Sequence, residues 1–262
     1  MLPRNSSGMK QSNDPTQVST NPAFTFASRD EKKSYVRRMF GEIAGRYDFF
    51  NHFLSFGFDR SWRRKAIKLL NAALIEKTHP HILDVACGTG DLAFEAVEQM
   101  PDAQVIGLDI TRPMLDLFQK KIDERKANIS VLEGDVERLP FADRMFDAVT
   151  IGFGTRNFTN LSIAFEEIAR VLRPGGVLIN LELAKPRMFP MKYMYALYFN
   201  VILPITASLM SRHDSAYRYL PDSLRRFPDL ESLAELMKES GFASAEWKTL
   251  TGGIIAVHIA RK

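Results

Sequence analysis

The stretch His81-Ile82-Leu83-Asp84-Val85-Ala86-Cys87-Gly88-Thr89-Gly90-Asp91 decides how the rest of the chain is read. Its first six residues are mostly apolar, and a Gly-x-Gly turn follows at once. A helical pattern then opens over Asp91–Gln99. A strand, a glycine turn and a helix in that order let backbone approach a nucleotide ligand closely, and the helix start offers free N–H groups to it. Alone, Gly-x-Gly is a weak signal.

The alternation continues on the C-terminal side. Gln104–Asp109 predicts a second strand and Arg112–Arg125 a second helix. Ile129–Glu133 predicts a third strand, 146–153 a fourth, 161–172 a helix, and 177–183 a fifth strand after the turn Arg173-Pro174-Gly175-Gly176. This βαβ rhythm implies a mainly parallel sheet with helices on both faces. An amphipathic helix is expected over 229–240, closed by Gly241. The runs 245–250 and 254–260 flank Thr251-Gly252-Gly253 and read as a hairpin, so one late strand is expected to run antiparallel to the others.

Three neighbours narrow the ligand. Asp109 ends the second strand about twenty residues past the turn, where an acid accepts hydrogen bonds from ribose hydroxyls. The third glycine of a dinucleotide fingerprint is missing, because Asp91-Leu92-Ala93 follows Gly90. A pyrophosphate is therefore not signalled, which argues against a nicotinamide dehydrogenase on a similar sheet. Gly134-Asp135-Val136 follows the third strand, where a side chain can reach an adenine. Over about residues 80–185, with the Arg173–Gly176 turn included, the pattern resembles the class I S-adenosylmethionine-dependent methyltransferases.

Composition agrees with a globular enzyme. The chain has 262 residues, 45% apolar and 25% charged, with a formal net charge of +4. Its Lys and Arg residues are spread along the chain, so the modest basic excess points first to an ordinary surface, then to an anionic membrane, and not to nucleic acid. Cys87 is the one cysteine, so no intramolecular disulfide forms, as suits a cytoplasmic protein. The histidines show no metal-ligand spacing, and no metal is expected. Cys87 is read as packing rather than nucleophilic, because no base is signalled beside it.

Residues 1–29 are read as a disordered leader, rich in Ser, Asn, Pro, Thr and Gln in their first part. Residues 30–262 are read as one domain: N-terminal helices over 30–78, a cofactor-binding core over 79–186, a helical lid inserted at 187–227, and a C-terminal helix and hairpin over 228–262. A second helix is expected over 61–76. Phe49, Phe50, Phe53, Leu54, Phe56 and Phe58 make an aromatic segment before it. The apolar stretch 188–210 carries Lys192, Asn200 and Pro204, so a lid over a greasy pocket is favoured over a membrane span.

The flanks sharpen the reading. Tyr47-Asp48-Phe49-Phe50-Asn51, Phe153-Gly154-Thr155-Arg156-Asn157 and Tyr217-Arg218-Tyr219-Leu220 occur in that order. The combination resembles the C-methyltransferases of menaquinone and ubiquinone biosynthesis over nearly everything after residue 33. The resemblance implies a Rossmann-like fold with a seven-stranded, mostly parallel sheet. It implies methyl transfer from S-adenosylmethionine to a ring carbon of a prenylated quinol, demethylmenaquinol first. The benzoquinol of ubiquinone synthesis, another lipid, and a non-catalytic scaffold are the alternatives. The cofactor set is Asp84, Gly88, Thr89, Gly90, Asp109, Ile110, Asp135, Val136 and Gly152, the last where relatives often carry serine.

The chemistry assigns the remaining roles. A phenol titrates near 10, so the site must favour the phenolate that pushes charge onto the ring carbon. Arg156 is expected to supply positive charge, Asn157 to orient an oxygen or a water, and Tyr47 to complete a proton path with Asp135. For Arg156 a purely structural pairing with a carboxylate stays open. The adjacent His213-Asp214 pair is a weaker candidate base. Expected partners are the quinol and, peripherally, the inner face of the membrane. A homo-oligomer or a quinone-synthesis complex is left open.

Overall fold

The computed structural model of the chain describes residues 24–198 and 214–262. Most of the expected leader, the end of the 188–210 stretch and His213 lie outside the described residues. So do the side chains of 214–218.

Seven strands form one sheet: β1 (His81–Val85), β2 (Gln104–Asp109), β3 (Ile129–Glu133), β4 (Phe146–Gly152), β5 (Leu172–Leu183), β6 (Ser244–Leu250) and β7 (Ile255–Arg261). Their order is β3-β2-β1-β4-β5-β7-β6. The first five are parallel to one another, and β7 pairs antiparallel with both β5 and β6. This is the class I methyltransferase arrangement, with β7 as the late antiparallel strand. The order reverses between β1 and β4. In an open α/β sheet a ligand crevice lies at such a switch point, beyond the carboxyl ends of the strands.

Alternation along the strands builds a core on each face. Ile82 of β1 and Ile179 of β5 pack with Ile67 and Leu70 on one side. Those two belong to α2 (Phe58–Ala73), which packs beside α3 (Asp91–Gln99); α4 (Arg112–Arg125) adds Phe118 and Ile122 to the same core. Leu83, Val85 and Leu178 pack on the other side with Phe165 and Ile168 of α5 (Leu161–Val171). Burying one such side chain stabilises the fold by about 1.5–3 kcal/mol.

The N-terminal α1 (Arg29–Leu54) lies over the strand ends, capped by the Ser28 hydroxyl on the Glu31 amide. Three other helices follow the core strands: α6 (Met191–Leu197), α7 (Asp214–Arg226) and α8 (Leu230–Glu239). Two elements depart clearly from their expected bounds. The second helix begins at Phe58, not Ser61, and ends at Ala73. Gly57 explains the early start: it takes φ +75° and its N–H donates to His52 O, closing one helix and opening the next within three residues. The Arg173–Gly176 turn is absorbed into β5 as a bulge opposite Asp147, since Phe146 pairs with Leu172 and Ala148 already pairs with Val177.

Candidate active site

The turn after β1 and the turn after β4 stand side by side at the switch point. Gly88 (φ +55°) and Gly90 (φ +87°) are both left-handed. A Cβ on Gly90 would lie 2.0 Å from the Phe118 ring, so this position has no room for any other residue. Gly90 also serves as the N-cap of α3.

Asp109 holds the turn from below. Its Oδ2 accepts the Gly88 N–H at 2.9 Å and its Oδ1 the Thr111 N–H at 2.8 Å. It is buried, and desolvation raises its pKa against those hydrogen bonds. Hydrogen bonds from the Thr111 hydroxyl and the Ile110 amide also lower its pKa. The adjacent Ile110 lines the same cleft as Val136 and Gly152. Asp135 is ion-paired with Lys33 of α1 at 2.5 Å.

Asp84 sits at the carboxyl end of β1 and is fully buried. Thr150 donates to its Oδ1 at 2.7 Å, while Oδ2 has no hydrogen-bond partner among the described residues. Burial pushes its pKa up to about 7; the Thr150 bond opposes this and the Asp109 charge adds to it. Thr89 is engaged by α1. Its hydroxyl donates to Asp48 of α1 at 2.5 Å, and Lys121 bridges Asp48 and the Thr89 carbonyl. Together with Lys33–Asp135, this fastens α1 across the cleft.

The second turn carries Arg156 and Asn157 in a short 3-10 helix, Thr155–Asn157. Two polar residues of β5 hold it. Asn180 and Glu182 are two apart, hence on one face of the strand. Asn180 accepts from Thr155 at 2.5 Å and Glu182 accepts from Arg156 Nη1 at 2.5 Å. Arg156 Nη1 also donates to Phe153 O. The structural pairing of Arg156 with a carboxylate is therefore real. It leaves Arg156 Nε and Asn157 Oδ1 buried without partners among the described residues. Tyr47 lines the cleft opposite Gly88. Burial raises its pKa, against its bond from Asn51 and the charges of Arg156 and Arg63.

The third motif divides. Tyr219 packs beneath α1 with Val36 and Met39, while Tyr217 and Arg218 have no described side chains. A cavity of about 810 Å³ lies on the far side of Glu182, walled by Tyr195 of α6 and by Leu224 and Phe227 at the end of α7.

Sequence reasoning gave no role to Asp48, Arg63, Lys121 or Glu182. For Glu182 a signal existed: Asn180 and Glu182 interrupt the apolar run 177–183 with a period of two. For Arg63 none did, because it reads as the exposed face of an amphipathic helix.

Comparison with known proteins follows the same lines. The model of the ubiE/COQ5 methyltransferase family matches residues 28–262. The demethylmenaquinone methyltransferase of Thermus thermophilus is 45% identical over 221 residues, covering 84% of this chain and 98% of that protein. That of Bacteroides fragilis is 41% identical over 238 residues, covering 90% and 96%. A ubiquinone/menaquinone biosynthesis C-methyltransferase of Geotalea uraniireducens is 40% identical over 235 residues, covering 88% and 98%. Among solved structures, a methyltransferase of Thermotoga maritima, described as dependent on S-adenosylmethionine, superposes with a TM-score of 0.59 at 18% identity. The match covers 86% of this chain and 98% of that one, and it speaks to the fold alone.

Proposed function

The chain belongs to the ubiE/COQ5 methyltransferase family, and on that premise we propose that it methylates a ring carbon of a prenylated quinol, converting demethylmenaquinol to menaquinol with S-adenosylmethionine as donor. The observation that carries the reading is the Arg156–Asn157 turn, with its two unpartnered buried polar atoms, set against the glycine turn at the switch point.

The residues fit the donor. A glycine cradle with left-handed Gly88 and Gly90 admits a nucleoside closely, and the free Oδ2 of buried Asp84 suits an ammonium group. Asp109 would take the ribose, with Ile110 and Val136 against the adenine and Asp135 at its edge. Gly152 would lie beneath, and Thr89 would act through Asp48 as the fastening of α1. When bound, S-adenosylmethionine supplies a methyl group on a sulfonium sulfur.

The chain's own residues do the rest. A quinol hydroxyl both donates and accepts, and Asn157 Oδ1 and Arg156 Nε offer one acceptor and one donor. Once the hydroxyl proton has passed to solvent, Arg156 stabilises the phenolate that builds charge on the ring carbon, and the oxygen takes a proton back after the ring carbon loses its own. Glu182 fixes the Arg156 fork so that Nε stays free. Tyr47, kept protonated by burial, relays the ring proton toward Asp135. The cavity beyond Glu182 receives the start of the prenyl chain.

A membrane surface is the second part of the proposal. Phe49, Phe53, Phe56 and Phe58 are exposed at the α1–α2 junction, and Met188, Phe189, Met194 and Leu197 are exposed around α6. Tyr198 joins the two groups, meeting the Phe56 ring edge-on and donating to Leu54 O at 2.8 Å. No described helix is long and apolar enough to cross a membrane.

The test is transfer of label from S-adenosylmethionine to a short-chain demethylmenaquinol by the purified, folded protein. Label on the quinone ring carbon is expected. Binding of the donor without turnover would overturn this acceptor and leave the benzoquinol, another lipid or a non-catalytic scaffold as the alternatives.

A further inference from the structure

Arg63 is a buried cation that the mechanism above does not use. It lies on α2, its side chain 8% exposed, and its guanidinium is within 5.6 Å of the Phe153 ring centre. Nη1 donates to Asp59 and Nη2 lies 3.3 Å from Asp91. Asp59 is itself braced: it accepts from Ser55 at 2.8 Å and meets His52 Nδ1 at 2.6 Å. His52, Asp59 and Asp91 cluster as cation ligands would, and the cation that Asp59 and Asp91 hold is Arg63.

Taking a guanidinium out of water is expensive, and it cannot shed its charge. A fold that buries and braces one holds it in a fixed place. Here that place is the narrow end of the cleft, whose walls include Arg63, Asp84, Gly88 and Thr89. One buried carboxylate with a free oxygen and one buried guanidinium therefore face the same small space beside the glycine turn. A guanidinium has five N–H donors in a planar fork that matches a carboxylate. Opposite charges at close range on one wall are complementary to a zwitterion, and an α-amino acid is the zwitterion that carries its ammonium and carboxylate on one carbon.

We propose that Arg63 binds the α-carboxylate of the methionine portion of the methyl donor, opposite Asp84 at its ammonium. The proposal rests on the reading of S-adenosylmethionine as donor. Asp59, with His52 and Ser55 behind it, is then a positioning group for Arg63.

The experiment compares two ligands on the full chain by calorimetry: S-adenosylhomocysteine, and 5′-methylthioadenosine, which has the nucleoside and sulfur but no amino-acid end. R63Q is expected to weaken S-adenosylhomocysteine by about 10- to 100-fold, the range of a lost charged hydrogen bond. It leaves 5′-methylthioadenosine within about threefold. R63K is expected to lie between, keeping the charge and losing the fork. A general distortion of the turn weakens both ligands alike, and that result overturns the assignment, as does no change in either.

Should R63Q fail to fold, the unaltered protein answers with decarboxylated S-adenosylhomocysteine, which keeps the amine. Loss of about 10-fold or more relative to S-adenosylhomocysteine, with R63K narrowing that gap, supports the assignment; equal binding overturns it. If the unaltered protein binds neither S-adenosylhomocysteine nor 5′-methylthioadenosine, the donor reading itself falls, an outcome distinct from a failure of Arg63 alone.

Discussion

Arg156 and Glu182 form an ion pair, Nη1 to Oε1 at 2.5 Å, with the two side chains only 10% and 1% exposed. Glu182 also accepts from the Leu183 amide at 2.9 Å, so the carboxylate is fixed by the strand and the guanidinium by the carboxylate. Two effects of Glu182 oppose each other: it offsets the positive charge that favours a phenolate, and it aims the fork that delivers it. Orientation is the larger, because a misplaced group costs about 100-fold in rate. E182Q is therefore expected to lower kcat about 100-fold while the affinity for S-adenosylhomocysteine stays within about threefold. Breaking a buried pair also destabilises by about 3–5 kcal/mol, so thermal melts accompany the kinetics. A rise in kcat would mean that charge neutralisation dominates.

Asp84 makes stability fall with pH. Its folded pKa of about 7 lies above the usual carboxylate range. Near pH 4 and below, folded and unfolded chains both hold the proton and the group contributes nothing. Between about 4 and 7 the unfolded chain releases it first, so stability falls as pH rises; above 7 the loss is complete. D84N retains an oxygen for the Thr150 hydroxyl and removes the titration. Its unfolding free energy relative to the parent is expected to improve between pH 5 and pH 8, by on the order of 2 kcal/mol. Equal differences at the two pH values would refute this. The same variant is expected to bind S-adenosylhomocysteine more weakly.

Two glycines at the site, Gly90 and Gly152, differ in what they tolerate. G90A places a methyl group inside the Phe118 ring at a left-handed position. Backbone strain and overpacking together exceed about 3 kcal/mol, a fall in Tm of about 10 °C. A Cβ at Gly152 lies 3.2 Å from Leu92 Cδ2, the far end of a side chain that can turn. G152S is expected to melt within about 3 °C of the parent and to keep its ligand affinity. Calorimetric melts of both variants decide it.

Periodicity made the sheet legible because each strand is short, apolar and bounded by a turn or helix signal. The helix Asp91–Gln99 and strands Gln104–Asp109 and Ile129–Glu133 match to the residue. The start of α2 was not legible, because Ser61 is a good cap by type while Gly57 acts through a left-handed backbone. Within the site, Asp109 and Asp84 stood out because they end strands beside a glycine turn. Arg63 did not: a cation on an amphipathic helix has the same local pattern whether it faces solvent or a ligand. The engagement of Thr89 by Asp48 joins residues 41 positions apart, and no local pattern encodes that separation.

The exposed aromatic residues give the last prediction. Single exposed apolar side chains are ordinary, but Phe53, Phe56 and Phe58 adjoin Leu197 through the Tyr198 contact. The exposed Arg60, Arg64 and Lys65 on α2 stand beside the aromatic group, and basic residues each add about 1 kcal/mol of attraction to an anionic surface. Binding to vesicles of anionic lipid is therefore expected, weakening with salt and weaker on neutral vesicles. F56S/F189S removes two rings that are 75% and 82% exposed and touch little of the core. The double variant should melt like the parent and bind vesicles about tenfold or more weakly, since burying each ring contributes about 1.5 kcal/mol or more. Its activity on a short-chain quinol in solution should be unchanged, while activity on a long-chain quinol in vesicles falls with the binding. Loss of both activities together would place these rings in the acceptor site rather than on a membrane face.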